Sequence, residues 1–145
     1  MNSESKGVWG DRMPSVGQVA ERCRKVTVQD IGLFTEISGD RNPLHYDPAV
    51  ARASRFGEIV VQGGVTSAIL NAVVAEDLPG PGTVFLEVHW RFKAPVRPGD
   101  SITGRVEVTE VREDKPISRL DTRVTRGDGT VVLEGDVVCY TMKLA

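Results

Sequence analysis

GGVTSAILNAVVAEDLPG, residues 63–80, carries Val65, Ala68, Ile69, Leu70, Ala72, Val73 and Val74. At about 100° per residue these side chains cover most of a helix circumference instead of a single stripe. Such a helix is normally buried on nearly all sides, so the rest of the chain must supply its cover. Gly63-Gly64 at its start and Leu78-Pro79-Gly80 at its end delimit it. What surrounds this helix decides the fold.

Downstream the period changes to two. In VFLEVHWRF, residues 84–92, Val84, Leu86, Val88, Trp90 and Phe92 share one face, while Glu87, His89 and Arg91 share the other. Trp90 and Phe92 accordingly read as core. The turn PVRPGD follows, then strand-like runs over 101–111, 117–126 and 130–142, separated by EDKP and by GDG, a strong hairpin signal. Val19 to Val26 offers one more strand. A long antiparallel sheet with one apolar face, curved around an apolar helix, satisfies both elements. The expected class is α+β.

Between the first strand and that helix, VTVQDIGLFTEISG opens with Thr27 and Asp30 in capping-box spacing. Ile31, Phe34 and Ile37 recur at helical intervals, and Gly39 suits the stop. Asp47 followed by Pro48 reads as the N-cap and first residue of a second helix. Residues 1–17 read as a polar tail or loosely docked arm, and residues 18–145 as one domain.

The 145 residues carry a formal charge of -2 and a pI near 5.7, which supplies no basic field for nucleic acid or anionic lipid. No apolar run is long enough to span a bilayer and the N-terminus lacks a signal-peptide core, so a cytoplasmic location is expected. Cys23 and Cys139 have no ligand-type spacing and read by default as buried free thiols, with a disulfide as the other reading. With His45 and His89 the only histidines, no metal cluster is supported.

Chemistry concentrates in SGDRNPLHYDP, residues 38–48. Asp40 and His45 are five residues apart, so on a continuous helix they would point roughly 140° from each other. Pro43 forbids that helix and pushes Asn42 toward an extended conformation. An irregular loop can therefore turn Asp40 and His45 toward one point, with Asn42 bracketing it through its amide. The same letters also serve as plain punctuation: a helix stop at Gly39, a turn at Asn42-Pro43, and a cap at Asp47, which we assign to capping alone.

The combination Gly-Asp-x-Asn-Pro-x-His-x-Asp, set after an amphipathic helix and before an apolar helix that starts with glycine, resembles the MaoC-like (R)-specific enoyl-CoA hydratase and dehydratase family. The resemblance extends over about residues 17–145 and includes LPGPGTVFLEVHWRFKAPVRPGD and REDKPISRLDTRV. It implies the hot-dog fold, a sheet wrapped round one long central helix, in agreement with the reading from periodicity. It also implies a homodimer or larger assembly acting on acyl thioesters of coenzyme A or acyl carrier protein, with no cofactor besides that carrier. By position, Asp40 and His45 match the family's catalytic pair, and Asn42 matches the asparagine that supports them. Gly63 matches the glycine whose backbone N–H binds the thioester oxygen.

One position departs from the pattern. The family commonly has His-Gly where this chain has Gln62-Gly63. Glutamine keeps hydrogen-bonding capacity but carries no proton near neutral pH. We favour a bracing role for Gln62; the alternative is an altered rate or substrate choice. Asn71, where hydratases often have serine, sits seven residues beyond Gly64 on the same helix side. It reads equally as a lining residue of an acyl pocket or as a satisfied buried amide.

His89, on the polar face of its strand, reads as exposed or at a subunit contact. Ser38 and Ser67 lack a nucleophile elbow, which argues against an acyl-serine hydrolase. Arg91, Lys93, Arg97 and Arg105 read as scattered surface charge, with contact to coenzyme A phosphates as the other reading. Three functions compete: a hydro-lyase acting on enoyl thioesters, favoured by the intact Asp-x-Asn-Pro-x-His set; a hot-dog thioesterase; and a non-catalytic acyl-binding subunit, supported only by Gln62.

Overall fold

A computed structural model describes residues 7–144. Five strands form one antiparallel sheet: β1 (Val19–Lys25), β2 (Thr83–Phe92), β3 (Ser101–Val111), β4 (Ile117–Arg126) and β5 (Val131–Thr141). Their order is β1-β3-β4-β5-β2, so β1 and β2 are the edges. Helices α1 (Val28–Ser38), α2 (Pro48–Ala53) and α3 (Gly63–Ala72) lie between β1 and β2 in the chain, and α3 continues as a wide π turn over Val73–Asp77.

The core is the expected one. Val65, Ile69, Leu70 and Val73 from the helix pack with Ile102, Val106, Leu120, Val124, Leu133 and Val137 from alternating strand positions. Enclosure of α3 is incomplete, however. Ala68 and Asn71 are exposed and Ala72 and Ala75 only half-buried, so one narrow, small-residue stripe faces outward. The apolar count around the helix was right about its chemistry, but the five strands cannot reach all of its circumference.

β2 corrects a second expectation. A bulge between Phe85 and Glu87 inserts one residue, and each inserted residue reverses the facing of what precedes it. Val88, Trp90 and Phe92 lie opposite Val137, Gly135 and Leu133 and share the helix side, whereas Val84 pairs with Tyr140 on the other face and Phe85 turns inward opposite Cys139. Trp90 is half-buried, meets Phe85 edge-on at 5.9 Å and donates to Thr122 Oγ1 at 3.0 Å. Phe92 remains 56% exposed, so it is not core. Leu86 and Val88 are also exposed on this edge strand.

The N-terminal segment is docked more firmly than its polar letters suggest. Trp9 is buried and its indole donates to the Arg112 carbonyl at 2.6 Å. Arg12 donates to the carbonyls of Pro79 and Pro81, and Gly17 N–H to Val108 O at 2.8 Å. Residues 1–6 of the expected arm lie outside the described residues. Helix α1 has its capping box, with the Asp30 carboxylate accepting the Thr27 N–H at 2.8 Å, but Ile37 points to solvent instead of joining Ile31 and Phe34. Cys139 is buried and burial pushes its thiol up to about 12, while Cys23, expected buried, is exposed. No helix among the described residues is long and apolar enough to cross a membrane.

Candidate active site

The Asp40–His45 loop begins where α1 stops. Gly39 takes the left-handed conformation (φ 78°) that glycine adopts without a Cβ penalty, and its N–H caps the Thr35 carbonyl at 2.7 Å. Asn42 is extended, as a residue before proline should be, and its side chain accepts the Leu44 N–H at 3.1 Å. Its carbonyl accepts the His45 N–H at 2.9 Å, closing the 3-10 turn Pro43–His45. Asp47 then caps α2 through Ala49 and Val50, as assigned.

This turn brings the pair together. His45 Nε2 stands 3.6 Å from Asp40 Oδ2, beyond direct hydrogen-bonding distance. The His45 side chain is 9% exposed and that of Asp40 37%. His45 Nδ1 lies 2.6 Å from the Val60 carbonyl. A carbonyl can only accept, so Nδ1 carries a proton, and Nε2 is the ring nitrogen turned toward Asp40. Asp40 is held just as tightly: its N–H donates to Ser38 Oγ at 3.0 Å, and its Oδ1 accepts the Asn42 N–H at 3.0 Å. Oδ2 is the carboxylate oxygen left facing the imidazole. Asp40 Oδ2 and His45 Nε2 thus converge on one point. Val60, which contributes only a backbone atom, was not singled out from sequence, and Ser38 was weighed there only as a nucleophile, not as the partner of the Asp40 N–H.

A cavity of about 750 Å³ opens beside His45, lined among others by Leu44, Val60, Gly63, Thr66 and Phe92. Gly63 begins α3, where the first amides have no carbonyl one turn earlier to meet. Val65 and Thr66 already bond to the Gln62 carbonyl, while the Gly63 N–H has no protein acceptor among the described residues. A Cβ on Gly63 would come within 3.1 Å of the Phe92 ring and one on Gly64 within 2.0 Å of the Phe34 ring. The first glycine keeps the cavity wall open and the second lets α1 lie against α3.

Gln62 is 1% exposed and points away from the cavity, donating to Ile31 O at 3.1 Å and Thr35 Oγ1 at 3.2 Å. Its Oε1 is buried without a partner. Asn71 is exposed and absent from the cavity lining, where α3 contributes Gly63 and Thr66. Of the four cations considered, Lys93 and Arg97 line the cavity, whereas Arg91 and Arg105 sit on the outer face of the sheet. Arg55 and Arg126 also line it and had no recognisable pattern in the sequence. His89 is exposed on the outer face beside Glu87, at 3.4 Å. Among the described residues no group of three or more His, Cys, Asp or Glu is arranged to hold a metal.

The sheet wrapped on a central helix defines the hot-dog fold, and His45 and Gly63 at the start of α3 line one cavity, with Asp40 next to His45. Sequence comparison narrows this further. The pattern of the MaoC like domain matches residues 13–128. The chain is 37% identical to an (R)-specific enoyl-CoA hydratase of Aeromonas caviae over 85% of this chain and 92% of that protein. It is 36% identical to a 3-hydroxybutyryl-CoA dehydratase of Methylorubrum extorquens over 83% of this chain and 76% of that one. The structure of the A. caviae (R)-hydratase superposes with a TM-score of 0.84 at 36% identity, covering 88% of this chain and 97% of that one. The chain belongs to the MaoC-like family and is an enzyme of the hydro-lyase class.

Proposed function

We propose that this protein adds water to trans-2-enoyl-CoA to give (R)-3-hydroxyacyl-CoA, and runs the reverse dehydration. The observation that carries the reading is the convergence of Asp40 Oδ2 and His45 Nε2 beside a cavity that Gly63, whose N–H has no protein acceptor among the described residues, also lines. A water seated against the pair donates one hydrogen to each acceptor and turns a lone pair toward C3 of the substrate. The pair takes one proton as the C3–O bond forms, and the same proton is delivered to C2. The hydroxyl stays on C3, so atoms balance without any redox step. Charge builds on the thioester oxygen, where the Gly63 N–H at the positive end of α3 stabilises it. How the proton transfers divide between Asp40 and His45 is left open, and we treat the two as one unit. Asn42 supports the pair through both its N–H and its side chain, and Gln62 braces α1 against α3. The chemistry asks for no cofactor beyond the carrier, and the cytoplasmic acyl-CoA pool is the supply we propose.

We also propose a homodimer. Leu86, Val88 and Phe92 on the edge strand β2 are exposed, α3 keeps an uncovered stripe, and a free edge with apolar side chains calls for a partner strand. A monomeric mass at micromolar concentration would count against that assembly.

The test is incubation with short trans-2-enoyl-CoA, following loss of conjugation, release of free thiol and product configuration. Conjugation should fall without thiol release, giving the (R)-alcohol. Thiol release would indicate a thioesterase instead, and no reaction an acyl-binding subunit. Equal trials with the acyl carrier protein thioester settle the carrier.

A further inference from the structure

Thr35 is a helix residue that plays no part in the reaction just described, yet its hydroxyl contacts four polar groups: one in its own helix, two in the catalytic loop and one before α3. Oγ1 lies 2.8 Å from the Asp40 carbonyl, 3.0 Å from the Ile31 carbonyl and 3.2 Å from Gln62 Nε2, and it makes a short contact with the Tyr46 hydroxyl. Thr35 is buried, so these contacts replace water.

Donor arithmetic gives the network a direction. A threonine hydroxyl has one proton and two lone pairs. Gln62 Nε2 can only donate, and the Asp40 carbonyl can only accept. The Ile31 carbonyl already receives the Gln62 amide at 3.1 Å, so it has another donor. The Thr35 proton therefore goes to Asp40 O, and its lone pairs receive Gln62 Nε2 and the Tyr46 hydroxyl. Every site on the hydroxyl is then used.

We infer that Thr35 is the positioning residue of the catalytic loop, clasping it at Asp40 and at Tyr46 on either side of His45 through an uncharged network shared with Gln62. This rests on the reading of Asp40 and His45 as the hydrating pair. The Thr35 backbone carbonyl also caps Gly39, so one residue holds both peptides that flank the Gly39–Asp40 step. With Ser38 on the Asp40 N–H and Asn42 on Oδ1, the Thr35 bond completes the restraint of Asp40 and leaves Oδ2 alone to face the imidazole. The Tyr46 hydroxyl ties the residue after His45 to the same point. Thr35 and Gln62 carry no ionisable group, so the clasp holds the pair in one geometry while protons move at Asp40 and His45.

The experiment compares Thr35→Val, which keeps shape and removes the hydroxyl, with Thr35→Ser, which keeps the hydroxyl, and Tyr46→Phe. For Thr35→Val kcat should fall about 10-fold or more, the scale expected when reacting groups lose alignment by a fraction of an ångström, with KM nearly unchanged. Thr35→Ser should recover most of the loss, and Tyr46→Phe should lose less than Thr35→Val. Amide exchange at Leu44 and His45 should accelerate in Thr35→Val while exchange in the sheet core stays as in the native protein. Full kcat in Thr35→Val, a serine variant no better than valine, or kcat and KM worsening together with core exchange would overturn the inference. Should the native protein hydrate no enoyl thioester, the functional reading fails on its own. The clasp is then judged by amide exchange alone, and unchanged protection of the loop in Thr35→Val overturns it.

Discussion

The two histidines of this chain stand at almost the same distance from a carboxylate: His45 is 3.6 Å from Asp40 and His89 is 3.4 Å from Glu87. Everything else about them differs. The His89 and Glu87 side chains are 57% and 58% exposed, and neighbours two residues apart on the outer face of a strand meet there without further support. His45 is nearly enclosed, its second nitrogen is fixed by Val60 O, and each polar atom of Asp40 but one has a partner. Proximity to an acid is thus not what makes an imidazole useful. Enclosure and a committed second nitrogen are, because they settle which ring nitrogen faces the acid and where it points.

The sharpest way to break this contrast is to remove the supported pair. Asp40→Asn keeps shape but removes the carboxylate proposed as base, and kcat should fall by at least about 10²-fold, with His45→Ala comparable. The double variant should fall well short of the product of the two losses, since in the proposed mechanism both residues hold one water. Additive losses in steady-state kinetics would show that the pair does not act as a unit.

Next in size is the support beneath the pair. Gln62→Ala strands Thr35 and Ile31 acceptor sites in a dry place and should cost about 1–3 kcal/mol in urea unfolding, the scale for unpaired buried polar groups. Gln62→His should leave the rate near neutral pH little changed. A marked rise in kcat with a new ionisation near pH 6–7, the range of a free imidazole, would instead assign that position a proton-transfer role.

A smaller effect should come from the foot of α1, which carries Thr35. Burial pushes the Asp30 carboxyl up, but the Thr27 N–H and the Arg24 guanidinium outweigh it and hold the group below the usual carboxylate range. A carboxyl lowered on folding contributes stability that is fully present above its unfolded pKa, near 4, and is lost as pH falls through the lower folded value. Asp30→Asn should therefore weaken the protein at neutral pH and flatten the loss of stability below about pH 4 in acid titration followed by circular dichroism. An unchanged acid limb would remove Asp30 from that account.

The smallest effect belongs to the other histidine. His89→Ala and Glu87→Gln should leave kcat and KM as they are, because an exposed pair of this kind contributes little. A loss of rate in either would dissolve the contrast between the two sites.

How much of this was legible in the sequence follows from the range over which each force acts. Caps, prolines and glycines work within about four residues, so the α1 capping box, the stop at Gly39, the Asn42-Pro43 turn and the Asp47 cap could all be read from their letters. Alternation and helical apolarity act along one element, and they sufficed for the α+β class, for the central helix and for the strands after it. The loop pair was visible too, since a proline between an acid and a histidine is a local fact. Tertiary structure alone decided what lies against what. Val60 is fifteen residues from His45 and the partners of Gln62 are 31 and 27 residues away, distances over which no spacing rule operates. The bulge in β2 turned Val84 to the opposite face, the outward stripe of α3 escaped a five-stranded sheet, Asn71 fell on that stripe, and Trp9 found a pocket its polar neighbours concealed. Periodicity determines which side of an element is apolar; only the packing of whole elements determines what covers it, which polar atoms meet, and hence which nitrogen of His45 faces Asp40.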